Sequence, residues 1–238
     1  MGKPLLLDLY CCEGGASAGY VRAGFDVVGV DIAPQKRYPY RFIQADALAL
    51  LSWLIDSGAI RQFAAIHASP PCQEYSTLKS LKTHTYPDLL APTRDLLMAS
   101  GLPWILENVA TAPMQQGIEV CGTALGLNVR RHRRFDSSHL LYGPGRCQHS
   151  LDNVNVYGHG AWNYRPRSDD PRTKHWTRKT QQCPLPIAAA KAAFQAPWMT
   201  QHGLAECIPP AYTEFLGRQL MAVIETIETD DREYQHAG

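Results

Sequence analysis

Apolar runs alternate with small-residue turns and amphipathic segments through the first third of the chain. Three apolar runs predict strands at Leu5–Leu9, 25–30 and Arg41–Gln44, and residues 18–23 and 47–55 predict helices that follow them. Strands that alternate with helices form parallel sheets, because each helix carries the chain back to the same edge of the sheet. The pattern therefore predicts an α/β fold with a doubly wound, mostly parallel sheet.

Residues 63–66 form a further apolar run that predicts a buried parallel strand. The following Pro70 and Pro71 block both ladder hydrogen bonds and helix, so the chain must leave the sheet in a rigid extended turn. Cys72 then lies just beyond the carboxyl end of a strand, where open α/β sheets bind ligands. A thiolate there suits a nucleophile, although most free cysteines are small buried packing residues.

The run Trp104–Val109 predicts another buried strand, and it contains the polar pair Glu107 and Asn108. A carboxylate at the end of an apolar run is costly unless it is paired or protonated. A helix cap or a surface acid is the simple interpretation. A carboxyl group with a raised pKa, placed to donate a proton, is the functional one.

Gly14 and Gly15 follow the first strand, and Asp31 ends the second. Glycines at a helix N-terminus let a ligand approach the backbone, and an acidic residue at that spacing can bind the hydroxyls of a ribose. Both NAD and S-adenosylmethionine sites share this spacing, and a tight turn without a ligand is the alternative. Asp46 after the third strand and the thiol of Cys72 favour the methyl donor.

Residues 130–134 contain four arginines in five positions. Such a run is often a solvated face. In a strand, however, Arg131 and Arg133 project to one side of the sheet while His132 and Arg134 project to the other.

These segments, in this order, resemble the motifs of the cytosine-C5 DNA methyltransferases. The resemblance extends from about residue 5 to residue 220 and is weak between residues 138 and 197. It rests on the first turn at residues 8–15, the loop at 69–76, the strand Trp104–Val109, the arginine strand and residues 205–212. Four positions depart from the common pattern: Tyr10 replaces Phe, Cys12 replaces the first Gly, Val129 replaces Gln and Glu206 replaces Asn.

The resemblance implies the catalytic roles. Cys72 would add to C6 of a flipped cytosine, Glu107 would engage N3, and Arg133 would hold O2. Asn108 would orient Glu107 and the loop of Cys72, and Arg131 would support the carboxylate.

The resemblance also implies that S-adenosyl-L-methionine is the cofactor, with S-adenosyl-L-homocysteine as its product. The residues expected to contact this donor come from both ends of the chain: Tyr10, Gly14, Gly15, Asp31, Ile32, Asp46, Ala47, Pro70, Glu206 and Ile208.

Double-stranded DNA is the expected partner. Residues 76–84 are polar and basic enough to close over DNA as a lid. Residues 157–179 interleave aromatic and cationic side chains, which is typical of a nucleic-acid-facing loop, with a plain surface loop as the alternative. The residues expected to contact DNA are Gln73, Ser76, Lys79, Lys82, Arg165 and Arg167.

The domain prediction follows from the motif positions. Residues 1–137 and 197–228 are expected to form the catalytic domain, with an amphipathic helix over 213–229 packed on the sheet. Residues 138–196 form a very reduced target-recognition insertion, and residues 229–238 form a frayed polar tail.

Composition sets the remaining bounds. The 238 residues carry a net charge of +1, so any basic surface must be local. Seven cysteines without a CxxC pair favour a reducing compartment. With no signal peptide or membrane-spanning run, we expect a soluble, cytoplasmic monomer, located in a bacterial host cell if a phage encodes it.

Cys147 and His149 suggest a zinc site that His139, Cys183 or another ligand would complete. The complete ligand spacing is missing, so we expect no metal.

Two alternative functions remain open. One is the same chemistry on RNA, on a free nucleotide or with a modified donor. The other is a catalytically silent relative that binds DNA or S-adenosylmethionine as a regulator, which the presence of Cys72, Glu107 and Arg133 argues against.

Overall fold

A seven-stranded mixed sheet forms the centre of the protein. The computed structural model describes residues 2–71, 75, 88–114, 116–150, 152–157, 160–166 and 180–236. Its strands are β1 Leu5–Leu9, β2 Asp26–Asp31, β3 Arg41–Gln44, β4 Ala65–Ala68, β5 Trp104–Val109, β6 Ile118–Cys121 and β7 His132–Ser137. Neighbouring strands follow the order β3-β2-β1-β4-β5-β7-β6, in which β7 runs antiparallel to both β5 and β6 while the other neighbouring pairs are parallel. The mostly parallel, doubly wound sheet is thus confirmed.

Helices cover both faces of this sheet because its strands are apolar on both sides. Leu7 and Leu9 of β1 belong to the core on the face that carries α2 and α3, whereas Leu6 belongs to the core under α1 and α6. These helices are α1 Gly15–Ala23, α2 Ala47–Asp56, α3 Leu90–Ala99 and α6 Pro210–His236.

A second, three-stranded antiparallel sheet follows in the chain, in the order β10-β9-β8. Ala161 and Asn163 of its central strand are buried, while Trp162 between them is partly exposed. The expected loop over 157–179 is therefore wrong for residues 160–166. This strand pairs with both β8 and β10, and because its buried residues Ala161 and Asn163 are small or polar, no alternation of large apolar residues reveals it in the sequence. The new elements are β8 Asn155–Tyr157, β9 Gly160–Pro166, β10 Thr180–Leu185, α4 Ile187–Phe194 and α5 Gln201–Glu206.

Two predicted boundaries need correction. The strand expected at 63–66 begins at Ala65, because Phe63 follows a short 3₁₀ helix and packs in the core from there. The tail expected to fray after residue 228 continues as helix to His236, since no glycine or proline occurs between Gly217 and Gly238. The division into domains stays a prediction.

None of the helices in the described part of the chain combines the length and the apolar character needed to cross a lipid bilayer.

The crossing of α1 and α6 fixes where the C-terminal part of the chain returns. A Cβ on Gly19 of α1 would collide with the Thr213 hydroxyl and the Pro210 carbonyl of α6. The same Thr213 hydroxyl donates to the Ala16 carbonyl at 2.8 Å. This close approach places the segment before α6 directly on the turn that follows β1.

Two buried titratable side chains lie side by side in the central sheet. Asp8 of β1 is opposite His67 of β4, and both are fully buried. Ser17 donates to the carboxylate of Asp8, and the Tyr20 hydroxyl lies 2.9 Å from Nδ1 of His67. Burial raises the pKa of Asp8 to about 7 and lowers the pKa of His67 to about 3, so both groups are neutral near pH 5.

These two pKa shifts predict opposing effects of pH on stability. The raised pKa of Asp8 gives stability that is lost as pH rises from its ordinary value of 3.8 to about 7. The lowered pKa of His67 gives stability that is lost as pH falls from 6.5 to about 3. In Asp8→Asn the free energy of unfolding should rise with pH more steeply than in the wild type. In His67→Gln the free energy of unfolding should rise with pH less steeply than in the wild type.

Urea unfolding at a series of pH values measures both slopes, each pKa unit being worth about 1.4 kcal/mol. Parallel pH profiles for the wild type and both variants would contradict the prediction.

Candidate active site

A buried carboxylate lies near the carboxyl end of β5. Glu107 is 5% exposed, and its Oε1 lies 2.9 Å from Nε of Arg133 on the neighbouring β7. Burial raises the pKa of Glu107, while Arg133 and Arg131 oppose the rise. Oε1 is buried and accepts no hydrogen bond of normal geometry from the described residues, so the ion pair with Arg133 is its main stabilising contact there.

Asn108 connects β5 to the start of the predicted nucleophile loop. Its side chain is fully buried, and its Nδ2 donates to the Pro70 carbonyl at 3.1 Å. Its Oδ1 accepts the amide hydrogen of Val109 at 2.9 Å, which fixes the orientation of the side chain. Farther along, the Thr111 hydroxyl donates to the Tyr75 carbonyl at 2.7 Å. Both ends of the Pro70–Tyr75 segment are therefore held by residues at or just after the end of β5.

Six predicted residues, Cys72, Gln73, Ser76, Lys79, Lys82 and Arg167, lie outside the described residues. Arg165 lies in β9, where only its backbone is described.

The two arginines at the start of β7 have different partners. The resemblance predicts that Arg131 contacts the carboxylate of Glu107. In the structure Arg133 makes this contact. The Arg131 guanidinium instead donates to the carbonyls of Ala205 and Val156. Burial lowers the pKa of Arg131 to about 10. Arg131 thus joins β7 to the small sheet and to the segment before α6.

Asp31 closes the turn after β1. Its Oδ2 accepts the amide hydrogen of Cys12 at 3.0 Å, and its Oδ1 accepts that of Ala33 at 2.9 Å. Tyr10 and Cys12 adopt left-handed backbone conformations, with φ of 62° and 46°. Cys12 occupies the position where the common motif has glycine, and its backbone keeps the conformation that glycine favours.

The two predicted glycines make room for atoms of the protein itself. A Cβ on Gly14 would lie 2.9 Å from the ring of Tyr38. A Cβ on Gly15 would lie 2.5 Å from the Ile208 carbonyl and 2.6 Å from the Cys207 Sγ. Internal packing therefore accounts for both glycines, so they do not by themselves indicate a site for the methyl donor.

Asp31 and its neighbours fit a nucleoside. Ile32, directly after this buried carboxylate, is 70% exposed and presents apolar surface beside it. Asp46 caps α2 by accepting the Ala49 amide hydrogen at 2.9 Å, and Ala47 after it is buried. The carboxylate of Asp31 suits ribose hydroxyls and the apolar surface of Ile32 suits an adenine, so the residues present fit S-adenosylmethionine.

Glu13 is a site residue that sequence reasoning missed. Its two carboxylate oxygens accept hydrogen bonds from the backbone amide and the hydroxyl of Thr200, both at 2.7 Å. Its carbonyl accepts the indole N–H of Trp198, also at 2.7 Å. In the same region Oε2 of Glu206 lies 3.9 Å from Sγ of Cys12. These contacts hold the segment before α6 over the first turn, and only the helix-cap pattern at Thr200 signals them in the sequence.

The sequence matches no protein-family model, and none of the curated proteins matches it either. Its fold does match solved structures. The methyltransferase EhMeth of Entamoeba histolytica superposes with a TM-score of 0.62 at 11% identity, over 94% of this chain and 99% of that one. The chain has a methyltransferase fold. The Rossmann-like architecture implied by the motifs is thereby confirmed.

Two further methyltransferases match over part of their length. One is a DNA modification methyltransferase encoded within an Escherichia coli prophage, with a TM-score of 0.43 and 19% identity, over 70% of this chain and 61% of that one. The other is the Dnmt2 methyltransferase of S. pombe, with a TM-score of 0.40 and 15% identity, over 59% of this chain and 52% of that one. This chain spans less than two thirds of either, and at these TM-scores the two likenesses add nothing to the fold assignment.

The strained turn of this methyltransferase fold yields a prediction. Cys12→Gly removes the left-handed strain, whereas Cys12→Ala removes only the sulfur. The glycine variant should be more stable to urea than the alanine variant by about 0.5–1 kcal/mol, after allowing for the greater freedom of glycine in the unfolded chain. Equal free energies of unfolding for the two variants would show that the turn stores no such strain.

Proposed function

We propose that this protein transfers a methyl group from S-adenosylmethionine to C5 of cytosine in DNA. The observation that carries the proposal is the buried pair of Glu107 and Arg133, beside a segment that Asn108 holds at Pro70. A carboxyl group with a raised pKa next to a fixed guanidinium suits the N3 and O2 edge of a pyrimidine. The motif order in the sequence supplies the nucleophile, Cys72, on the held segment.

The chemistry follows from these groups. Glu107, with its pKa raised by burial, engages N3 of cytosine and draws electrons from the ring. Arg133 donates to O2 while it keeps its contact with Glu107. The Cys72 thiolate then forms a bond to C6, and the electron pair of the C5–C6 double bond becomes available at C5.

When bound, S-adenosylmethionine would supply an electrophilic methyl group for the attack by C5. Asp31 would hold its ribose, and Ile32, Tyr10 and Asp46 would surround its adenine. After transfer, a base from the solvent takes the C5 proton, which restores the double bond and expels Cys72 as thiolate. The cytosine gains one methyl group and loses one proton, and the donor would leave as S-adenosylhomocysteine.

The base must leave the duplex, since C5 and C6 cannot be attacked within the stack. We assign DNA contacts to the residues after Cys72 and to the end of β9 with the residues that follow it. Cationic groups there would neutralise phosphates and make affinity depend on salt. The residues assigned to DNA are Gln73, Ser76, Lys79, Lys82, Arg165 and Arg167, and the working form is proposed to be a monomer on double-stranded DNA.

The nucleophile is tested by covalent trapping. Duplex DNA that contains 5-fluorocytosine cannot lose a proton from C5, so the wild-type protein should remain attached to it when the donor is present. Cys72→Ser should give no adduct, because a hydroxyl has no accessible anion at neutral pH. Glu107→Gln should slow adduct formation at least about tenfold, because glutamine cannot act as the general acid at N3. Denaturing gel electrophoresis measures the adduct.

Glu225→Gln, an exposed change on α6, is the matched control and should trap DNA like the wild type. The same assay with RNA and with a free nucleotide identifies the substrate class. A wild-type protein that binds the donor yet forms no adduct with any of the three would refute the proposed chemistry.

The donor site is tested by calorimetry. Asp31→Ala should weaken S-adenosylmethionine binding by about 1.5–3 kcal/mol, the value of a charge-assisted contact. Asp26→Ala, an exposed carboxylate at the opposite end of β2, should leave the affinity unchanged. Equal affinities for the two variants would place the donor away from the end of β2.

A further inference from the structure

Four potential metal ligands converge at one end of the β6–β7 pair. Cys121 is the last residue of β6 and lies opposite His132, the first residue of β7. Cys147 and His149 come from the segment at residues 138–150, which forms neither helix nor strand. The ligand atoms of all four side chains lie within 4.8 Å of one another.

The separations fit a tetrahedral ion. Sγ of Cys121 lies 3.4 Å from Nε2 of His149, and Sγ of Cys147 lies 3.7 Å from Nε2 of His132. Zinc binds thiolate at about 2.3 Å and imidazole at about 2.0–2.1 Å, so ligand atoms on a tetrahedral ion lie about 3.3–3.8 Å apart. The Cys121–His149 and Cys147–His132 separations fall in this range, and all four ligand atoms lie within 4.8 Å of one another.

We propose that Cys121, His132, Cys147 and His149 bind a structural zinc ion. Two thiolates and two imidazoles form a set that zinc prefers, and four protein ligands leave no open position for a substrate. Cys121 is buried while Cys147 and His149 are exposed, so the ion has a path from solvent into the site.

The surroundings support this assignment. The Thr123 hydroxyl lies 3.4 Å from Sγ of Cys121 and accepts the amide hydrogen of Gln148 at 3.1 Å. The Thr123 hydroxyl thus links Cys121 of β6 to Gln148, the residue between Cys147 and His149. Such contacts behind the ligands orient them and are a regular part of metal sites.

A metal would also explain how residues 138–150 keep their place. Long segments without helix or strand are uncommon inside compact domains and need another source of order. Gln219 of α6 holds this segment at Tyr142 through two backbone contacts. The proposed ion would hold its far end, at Cys147 and His149.

The ion would act on the active site through β7. His132 lies between Arg131 and Arg133 in the chain, so fixing His132 fixes the start of the strand that brings Arg133 to Glu107. The zinc assignment itself does not depend on the proposed methyl transfer.

Spacing in the sequence does not identify all four ligands. Cys147 and His149 are close together in the chain, but a complete zinc pattern is missing, so the sequence alone predicts no metal. The structure instead brings in Cys121 and His132, which adjacent strands place opposite each other.

Metal analysis of the full chain, expressed without a histidine tag and purified under reducing conditions, tests the proposal. Inductively coupled plasma mass spectrometry should find about one zinc ion per chain in the wild type. The double variant Cys147→Ser with His149→Ala should lose the metal. His139→Ala is the matched control from the same segment, and it should retain the full zinc content.

Two further measurements keep the result clear if the double variant folds poorly. Cobalt added to the chelator-treated wild type should give the intense visible bands of a tetrahedral site and a thiolate-to-metal absorption. Chelation should lower the melting temperature of the wild type and of His139→Ala alike. A wild type that takes up neither zinc nor cobalt would overturn the proposal. A Cys121–Cys147 disulfide that persists in protein purified under reducing conditions would overturn it as well.

Discussion

The burial of Glu107 is the constraint on which the site depends. A carboxylate in the interior requires a partner, and Arg133 supplies it only because β7 runs antiparallel beside β5. The same short stretch of β5 places Asn108 on the opposite face of the sheet, where it bonds to Pro70. One strand end therefore orients both a carboxyl group and the segment that carries the predicted nucleophile.

The C-terminal part of the chain completes the site from the other side. The tight crossing at Gly19 brings α6 onto α1, and the clamp between Glu13 and Thr200 holds the preceding segment against the first turn. Arg131 ties this segment to the small sheet through carbonyl contacts. Residues nearly two hundred positions apart in sequence thus share one edge of the sheet.

The sequence predicts the fold well where apolar runs are long and local. The strands at Leu5–Leu9 and Trp104–Val109 have the expected limits, because buried parallel strands are continuous apolar runs. It fails for β9, whose buried residues Ala161 and Asn163 are small or polar, and for Glu13, whose partner Thr200 is distant in the chain. Strand alternation puts Arg131 and Arg133 on one side and does not tell which of them reaches Glu107. The resemblance assigns this contact to Arg131, whereas in the structure Arg133 makes it.

The two backbone contacts of Asp31 have a consequence for recognition. Both carboxylate oxygens are already held by the amides of Cys12 and Ala33, so the side chain has a single orientation before any ligand arrives. A ribose that met this carboxylate would not have to arrest a freely rotating group, a loss that usually costs about 0.5–1.5 kcal/mol for a flexible side chain. The rotational freedom of the Asp31 side chain is therefore lost when the turn after β1 folds. Binding at the end of β2 does not have to restrict this side chain again.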